Sequence, residues 1–170
     1  MDSADEAAFR VFVQARSTAL LRCAYLLVGD REQAEDVLQI ALVKTYLAWS
    51  RIRNHAAVEA YVRRTIATTA TSWWRSGRRR ERVVGQLPER AGIDEFVQAA
   101  ERDAMWSHVL SLPARQRAVL VLRYYEGLTE AEIAETLGLA CGSVKSHAAR
   151  GLATLRRRLA DEDTEVGARR

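Results

Sequence analysis

Apolar residues recur every three or four positions along nearly the whole chain, and strict apolar–polar alternation is almost absent. That spacing lines one face of a helix, so the pattern predicts an all-α protein. A first helix is expected over residues 5–28, with Phe9, Phe12, Val13, Leu20, Leu21 and Tyr25 on its buried side and Gly29 ending it. Asp30, with Gln33 three residues on, reads as the cap of a second helix. That helix reaches about Trp49 and buries Val37, Leu38 and Leu42, with Tyr46 a further core candidate. A short basic loop, 50–54, leads to a third helix carrying Val58, Tyr61, Val62, Ile66 and Trp73, which ends in an arginine run.

The periodicity then fades. Gly85, Pro88 and Gly92 punctuate a stretch with few large apolar residues. The pattern thus divides the chain into a helical domain 1–80, a linker 81–100, a second helical domain 101–165 and a short tail 166–170. In the second domain Met105, Trp106, Val109 and Leu110 mark one helix. Pro113 suits the first turn of the next, which runs to about Tyr125 and is broken at Gly127. Thr129 and Glu132 form a capping-box signature for a short helix burying Ile133, Ala134 and Leu137 and stopping at Gly138. A five-residue turn, 138–142, precedes the last helix, and fraying is expected from Asp161 onward.

A short capped helix, a glycine-containing turn and a longer helix make a helix-turn-helix, whose second helix can enter a major groove. At about 100° per residue, Val144, Ala148, Leu152, Leu155 and Leu159 share one arc of that helix. Ser146, Ala149, Arg150, Ala153 and Arg157 point away, and Lys145 and His147 flank the boundary. Small residues allow close approach to base edges, and basic ones meet phosphates or guanine. A plain amphipathic helix with a solvated basic side would show the same arcs.

Charge sharpens this picture. The 170 residues carry a formal charge of +4, but unevenly: five arginines fall between Arg75 and Arg82, while Asp30, Glu32, Glu35 and Asp36 cluster earlier. One acidic and one basic surface suggest two partners of different charge, although solvated helix faces read the same way. Cys23 and Cys141 form no CxxC pair and sit among apolar or small residues, so buried thiols in a reducing cytosol are expected. His55, His108 and His147 lack metal-ligand spacing with them. No basic start followed by an apolar core marks a signal peptide, and apolar runs such as 118–122 are too short to span a bilayer. No nucleophile–base pair, metal set or phosphate loop is visible, so neither enzymatic activity nor a cofactor is expected.

Residues 112–159, LPARQRAVLVLRYYEGLTEAEIAETLGLACGSVKSHAARGLATLRRRL, closely resemble the C-terminal domain of sigma factors, the RNA polymerase subunits that direct initiation. AEDVLQIALVKTYLAW (34–49) and VEAYVRRTIATTATSWWRSGRRRE (58–81) resemble the N-terminal domain of the same family. Both blocks stand in the family's order with no room for further domains, the layout of its extracytoplasmic-function group. The resemblance implies a cytoplasmic, non-enzymatic protein whose partners are core RNA polymerase and promoter DNA. Anti-sigma factors are common inhibitors in this family.

What it implies for single residues follows by position. Asp36 and Gln39 match positions that contact the polymerase clamp. A first-turn acid favoured by the helix dipole is the alternative for Asp36. Arg51, Asn54, Tyr61, Arg63, Arg64, Thr68, Ser72 and Arg75 fall on the surface that reads and melts the −10 element. Ser143, Lys145, Ser146, His147 and Arg150 fall on the stretch that reads the −35 duplex. The chain departs from the family at Ile40, Ala60, Thr68, Ala140 and His147. Trp73 and Trp74 fit either base stacking or core packing. Two rival readings remain from the residues alone. One is a helix-turn-helix repressor or activator acting without polymerase; the other is a thiol enzyme using Cys23 or Cys141.

Overall fold

The computed structural model describes residues 3–52, 57–76, 95, 97–99 and 104–168, with side chains except at 75, 76, 104 and 163–168. Among the described residues every regular element is helical. The chain divides into two compact units, Met1–Phe96 and Val97–Arg170. The expected linker lies almost wholly outside the described residues, as does Asn54.

The first unit packs three helices, α1 (Ser3–Val28), α2 (Arg31–Ala48) and α3 (Val58–Ser76), each against the other two. Asp30 caps α2 as expected, accepting the Gln33 N–H at 2.9 Å. By length and composition alone α1 could cross a bilayer, a test that the core helix of a folded protein also passes. In the fold, however, Leu20, Leu21, Leu26 and Leu27 are sealed between α2 and α3, as in a core helix. Its other end carries Phe9 and Phe12, which meet Trp49 at ring-centroid distances of 5.1 and 6.0 Å. Trp49, only 2% exposed, thereby pins the 3₁₀ turn Trp49–Arg51 that follows α2. Tyr46 stays at the surface, edge-on to Phe9, with its hydroxyl donating to Glu6.

Three buried threonines satisfy their hydroxyls within this apolar packing. Thr45, Thr65 and Thr71 return their hydroxyls to the carbonyls of Ala41, Tyr61 and Ala67, one turn back.

The second unit holds α4 (Ala104–Leu110), α5 (Ala114–Leu120), α6 (Glu130–Leu137) and α7 (Cys141–Ala168). Pro113 occupies the cap of α5 rather than its first turn. The buried Arg117 guanidinium reaches back 2.5 Å to the Leu110 carbonyl and ties the α4–α5 corner; burial alone lowers its pKa. α5 does not run on regularly to Tyr125. It widens into a π-turn, Val121–Tyr125, closed by the Glu126 N–H on the Val121 carbonyl. The apolar residues 118–122 are buried throughout.

Two further differences concern α7. It begins at Cys141, directly after a three-residue turn, with the N–H groups of Ser143 and Val144 on the Ala140 carbonyl. Ala140 therefore sits where a cap belongs and offers no side-chain oxygen, which typically costs about 1 kcal/mol. Ser143 lies inside the first turn and is no substitute cap. At its far end α7 continues helical to Ala168 instead of fraying at Asp161. Arg158 donates to the His108 carbonyl and to Ser111, and Glu162 lies 3.0 Å from His108, so α4 holds that end.

Candidate functional site

The helix-turn-helix assembles from local chemistry. Thr129 and Glu132 close the capping box of α6 in both directions, and the hydrogen bonds from Thr129 hold the Glu132 carboxyl below its usual pKa. Gly138 then turns left-handed at φ 62°, and the N–H groups of Gly138 and Leu139 both reach the Ala134 carbonyl. A side chain bearing Cβ is strained there, which explains glycine at the turn. α7 crosses α5 closely at Gly151, where an added Cβ would stand 2.9 Å from Leu120 Cδ1. Val144, Ala148 and Leu155 are buried along that seam, with Leu152 and Leu159 half-buried.

The opposite side of α7 is open. Ser146, Ala149, Arg150, Ala153 and Arg157 are all exposed, in one stripe. Its two edges differ. On the α6 side, Lys145 lies 3.7 Å from Glu130, whose other oxygen receives Arg123 at 2.7 Å. On the α5 side His147 is half-buried, with no hydrogen-bond partner for Nδ1 among the described residues. Desolvation, then Arg115, then Arg150 push the His147 pKa below the ordinary imidazole value. The exposed Arg115 thus joins this basic cluster, a residue that reading α7 alone misses.

A neutral His147 sets a pH dependence. Its folded-state pKa is lowered, so the unfolded chain takes the proton first. The stability tied to neutral His147 is therefore full above the unfolded value, about 6.5, and falls away as pH drops through it. Phosphates would favour the imidazolium. Duplex affinity is expected to rise between about pH 7.5 and 6, and His147→Gln should flatten that rise; anisotropy titrations at the two pH values measure it. An unchanged rise in the variant would assign it to another group.

In the first unit the structure separates residues grouped by sequence. Tyr61, Thr68 and Ser72 are exposed along one line of α3, with the exposed Arg64 beside it. Arg63 lies roughly 160° around the helix from Tyr61. It is fixed by Glu59 at 2.7 Å, and Glu59 also holds Arg16 of α1 at 3.2 Å. Arg63 therefore takes part in an α1–α3 ion network on a different side of α3 from Tyr61. Arg51 is exposed at the end of the 3₁₀ turn, while Asn54 and the Arg75 side chain lie outside the described residues. Trp73 and Trp74 are both half-buried.

Asp36 and Gln39 are half-buried on the side of α2 that faces away from the bundle. At about 100° per residue, Ile40, Val43 and Leu47 continue that face, and the last two are 54% and 71% exposed. An apolar stripe open to water on a short bundle suits a protein partner. Of these three residues the sequence singled out only Ile40, as a departure from the family pattern. The second unit also carries an apolar groove of about 310 Å³ between α4, the π-turn and α7, where Trp106 meets Tyr125 edge-on and Tyr124 is 62% exposed. Cys23 is buried as expected, but Cys141 is exposed, because α7 starts one turn before its buried seam begins at Val144.

Among the described residues no cluster of three metal-ligating side chains occurs.

Comparison with known proteins supplies the family. Residues 12–80 match the model for Sigma-70 region 2, and residues 102–155 match Sigma-70, region 4. The chain is 39% identical over 160 residues to an RNA polymerase sigma-E factor of Streptomyces avermitilis, covering 94% of this chain and 89% of that protein. It is 34% identical over 152 residues to the ECF RNA polymerase sigma factor SigL of Mycobacterium tuberculosis, covering 85% and 84%. In fold it is similar to the sigma factor RpoE solved with the anti-sigma factor NepR from Bartonella quintana, with a TM-score of 0.62, 21% identity and coverage of 90% and 97%. Region 2 ahead of region 4 and near full-length likeness to such relatives leave one conclusion: this chain belongs to the extracytoplasmic-function group of the sigma-70 family of RNA polymerase sigma factors.

Proposed function

We propose that this sigma factor docks core RNA polymerase on the outward face of α2, captures the −10 element along α3, and anchors the −35 duplex with α7. It acts in the cytoplasm and performs no covalent chemistry. Residues 1–80 would do the first two tasks and 101–165 the third, with 81–100 linking them. The single observation that carries the DNA half is the stripe on α7, small at Ser146 and Ala149 and basic at Arg150 and Arg157, opposite a fully apolar seam. Small residues admit the helix to the groove, and the arginines meet phosphate or guanine. On α3, Tyr61 offers a ring for base stacking, and Arg64, Thr68 and Ser72 line the same surface for backbone and base contacts. On α2, Asp36 and Gln39 supply polar contacts beside the apolar stripe. The sigma factor RpoE was solved bound to the anti-sigma factor NepR, and CnrH, similar in fold, with the cytosolic domain of CnrY. By analogy an anti-sigma factor would silence this chain by covering the same faces.

Transcription from a random promoter library with core polymerase tests the reading: defined start sites dependent on the chain are expected. Arg150→Ala should weaken −35 duplex binding about tenfold and leave core-polymerase affinity intact. A chain that binds duplex as a stand-alone operator protein, with no stoichiometric polymerase complex, would overturn the proposal in favour of a repressor or activator.

A further inference from the structure

The edge of the DNA-reading surface contains a carboxylate where phosphate-binding surfaces ordinarily avoid one. Glu130 opens α6, and its two oxygens are divided between Arg123 at 2.7 Å and Lys145 at 3.7 Å. The two partners are unlike. Arg123 is two-thirds covered and is delivered by the π-turn that widens the end of α5, where its guanidinium also lies 5.7 Å from the centre of the Tyr124 ring. Lys145 is 68% exposed, one turn into α7, on the flank of the stripe that carries Ser146 and Arg150. Arg123 therefore fixes the carboxylate, and Lys145 is the member free to leave. When it leaves, Glu130 keeps its guanidinium, so no charge is stranded.

We propose that Glu130 is a positioning residue that acts as an internal stand-in for a DNA phosphate, holding Lys145 until the duplex backbone takes its place. This rests on the reading of α7 as the duplex-binding helix. Its consequence is restraint: part of the Lys145 charge is spent inside the protein, so indiscriminate attraction to DNA is weaker and less salt-sensitive than the surface arginines and lysine imply. Sequence spacing does not show this, because Glu130 and Lys145 lie on different helices, brought together by the turn at Gly138.

The test uses the full chain and a fluorescent random-sequence duplex, titrated across a range of salt. Glu130→Gln should tighten binding about fivefold at low salt and steepen the slope of log affinity against log salt by about one. Lys145→Ala should weaken binding, and in that background Glu130→Gln should change affinity less than about twofold, the signature of coupling. A salt slope separates this role from a purely structural one, since loss of helix stability would not steepen it. Unchanged affinity and slope in Glu130→Gln, or equal tightening with and without Lys145, overturns the proposal. Arg150→Ala reports separately on the underlying reading. If it weakens binding while Glu130→Gln does nothing, only the stand-in role falls. If it too has no effect, α7 is not the duplex-binding helix and both fall.

Discussion

Gly151→Leu is expected to destabilise the second unit by about 3 kcal/mol, near the upper end of the range for overpacking a well-filled core. The cause is local. Gly151 is buried in the middle of α7, and a Cβ there would meet Leu120 Cδ1 at 2.9 Å, Leu120 Cγ at 3.3 Å and Gln116 Cβ at 3.5 Å. A glycine inside a helix costs about 1 kcal/mol against alanine, so its presence reflects the α5–α7 approach rather than helix formation. Leu120 is itself 5% exposed and can yield only toward the apolar groove it lines, while the rest of a leucine side chain at 151 must still fit between α5 and α7. A leucine at 151 would therefore push the two helices apart and shift the exposed stripe of α7 with them. Amide hydrogen exchange reads this directly: α5 and α7 should lose protection, while α1, α2 and α3 serve as an internal control. Leu120→Ala, which removes the colliding atoms, should recover part of the loss when combined with Gly151→Leu. Full protection in the single variant would show that the crossing has slack and that Gly151 is not what sets it.

Leu47→Glu should lower affinity for core polymerase by about 30- to 100-fold, the scale of a central interface residue, with the free chain as stable as before. Leu47 is 71% exposed on the outward side of α2, so a carboxylate there stays in water in the free protein. In a complex that covers Ile40, Val43 and Leu47, the same carboxylate would be desolvated without a partner. Asp36 and Gln39 lie on the same face and would supply its polar contacts. Titration of labelled chain with core polymerase, beside a thermal melt, separates the two effects. Unimpaired polymerase binding would move the docking surface off α2.

Much of this architecture is legible in the chain because its determinants are local. The capping residues Asp30 and Thr129 act on N–H groups three residues away, and the turn at Gly138 needs only its own backbone. The division of α7 into a buried seam and an open stripe follows from helical repeat alone. The position of Arg63 was implicit in the same repeat, since residues two apart diverge by about 200°. Its assignment to the −10 surface rests instead on likeness to the family, and Glu59, which also holds Arg16, engages it in the folded unit.

The remaining features depend on which helix lies beside which. Nothing local makes Trp49 a core residue or leaves Leu47 open; the positions of Phe9 and Phe12 across α1 decide the first, and the packing of α1 and α3 on the opposite side of α2 decides the second. Likewise, Arg115 beside His147 and Glu130 beside Lys145 are encounters between helices. By itself, then, the sequence determined helix type, most helix ends, the helix-turn-helix and the faces of α7, because a helix is specified by contacts within a few residues. Tertiary structure alone decided which charges are paired, which imidazole is desolvated and which apolar side chains remain uncovered, because those depend on distances between segments remote along the chain.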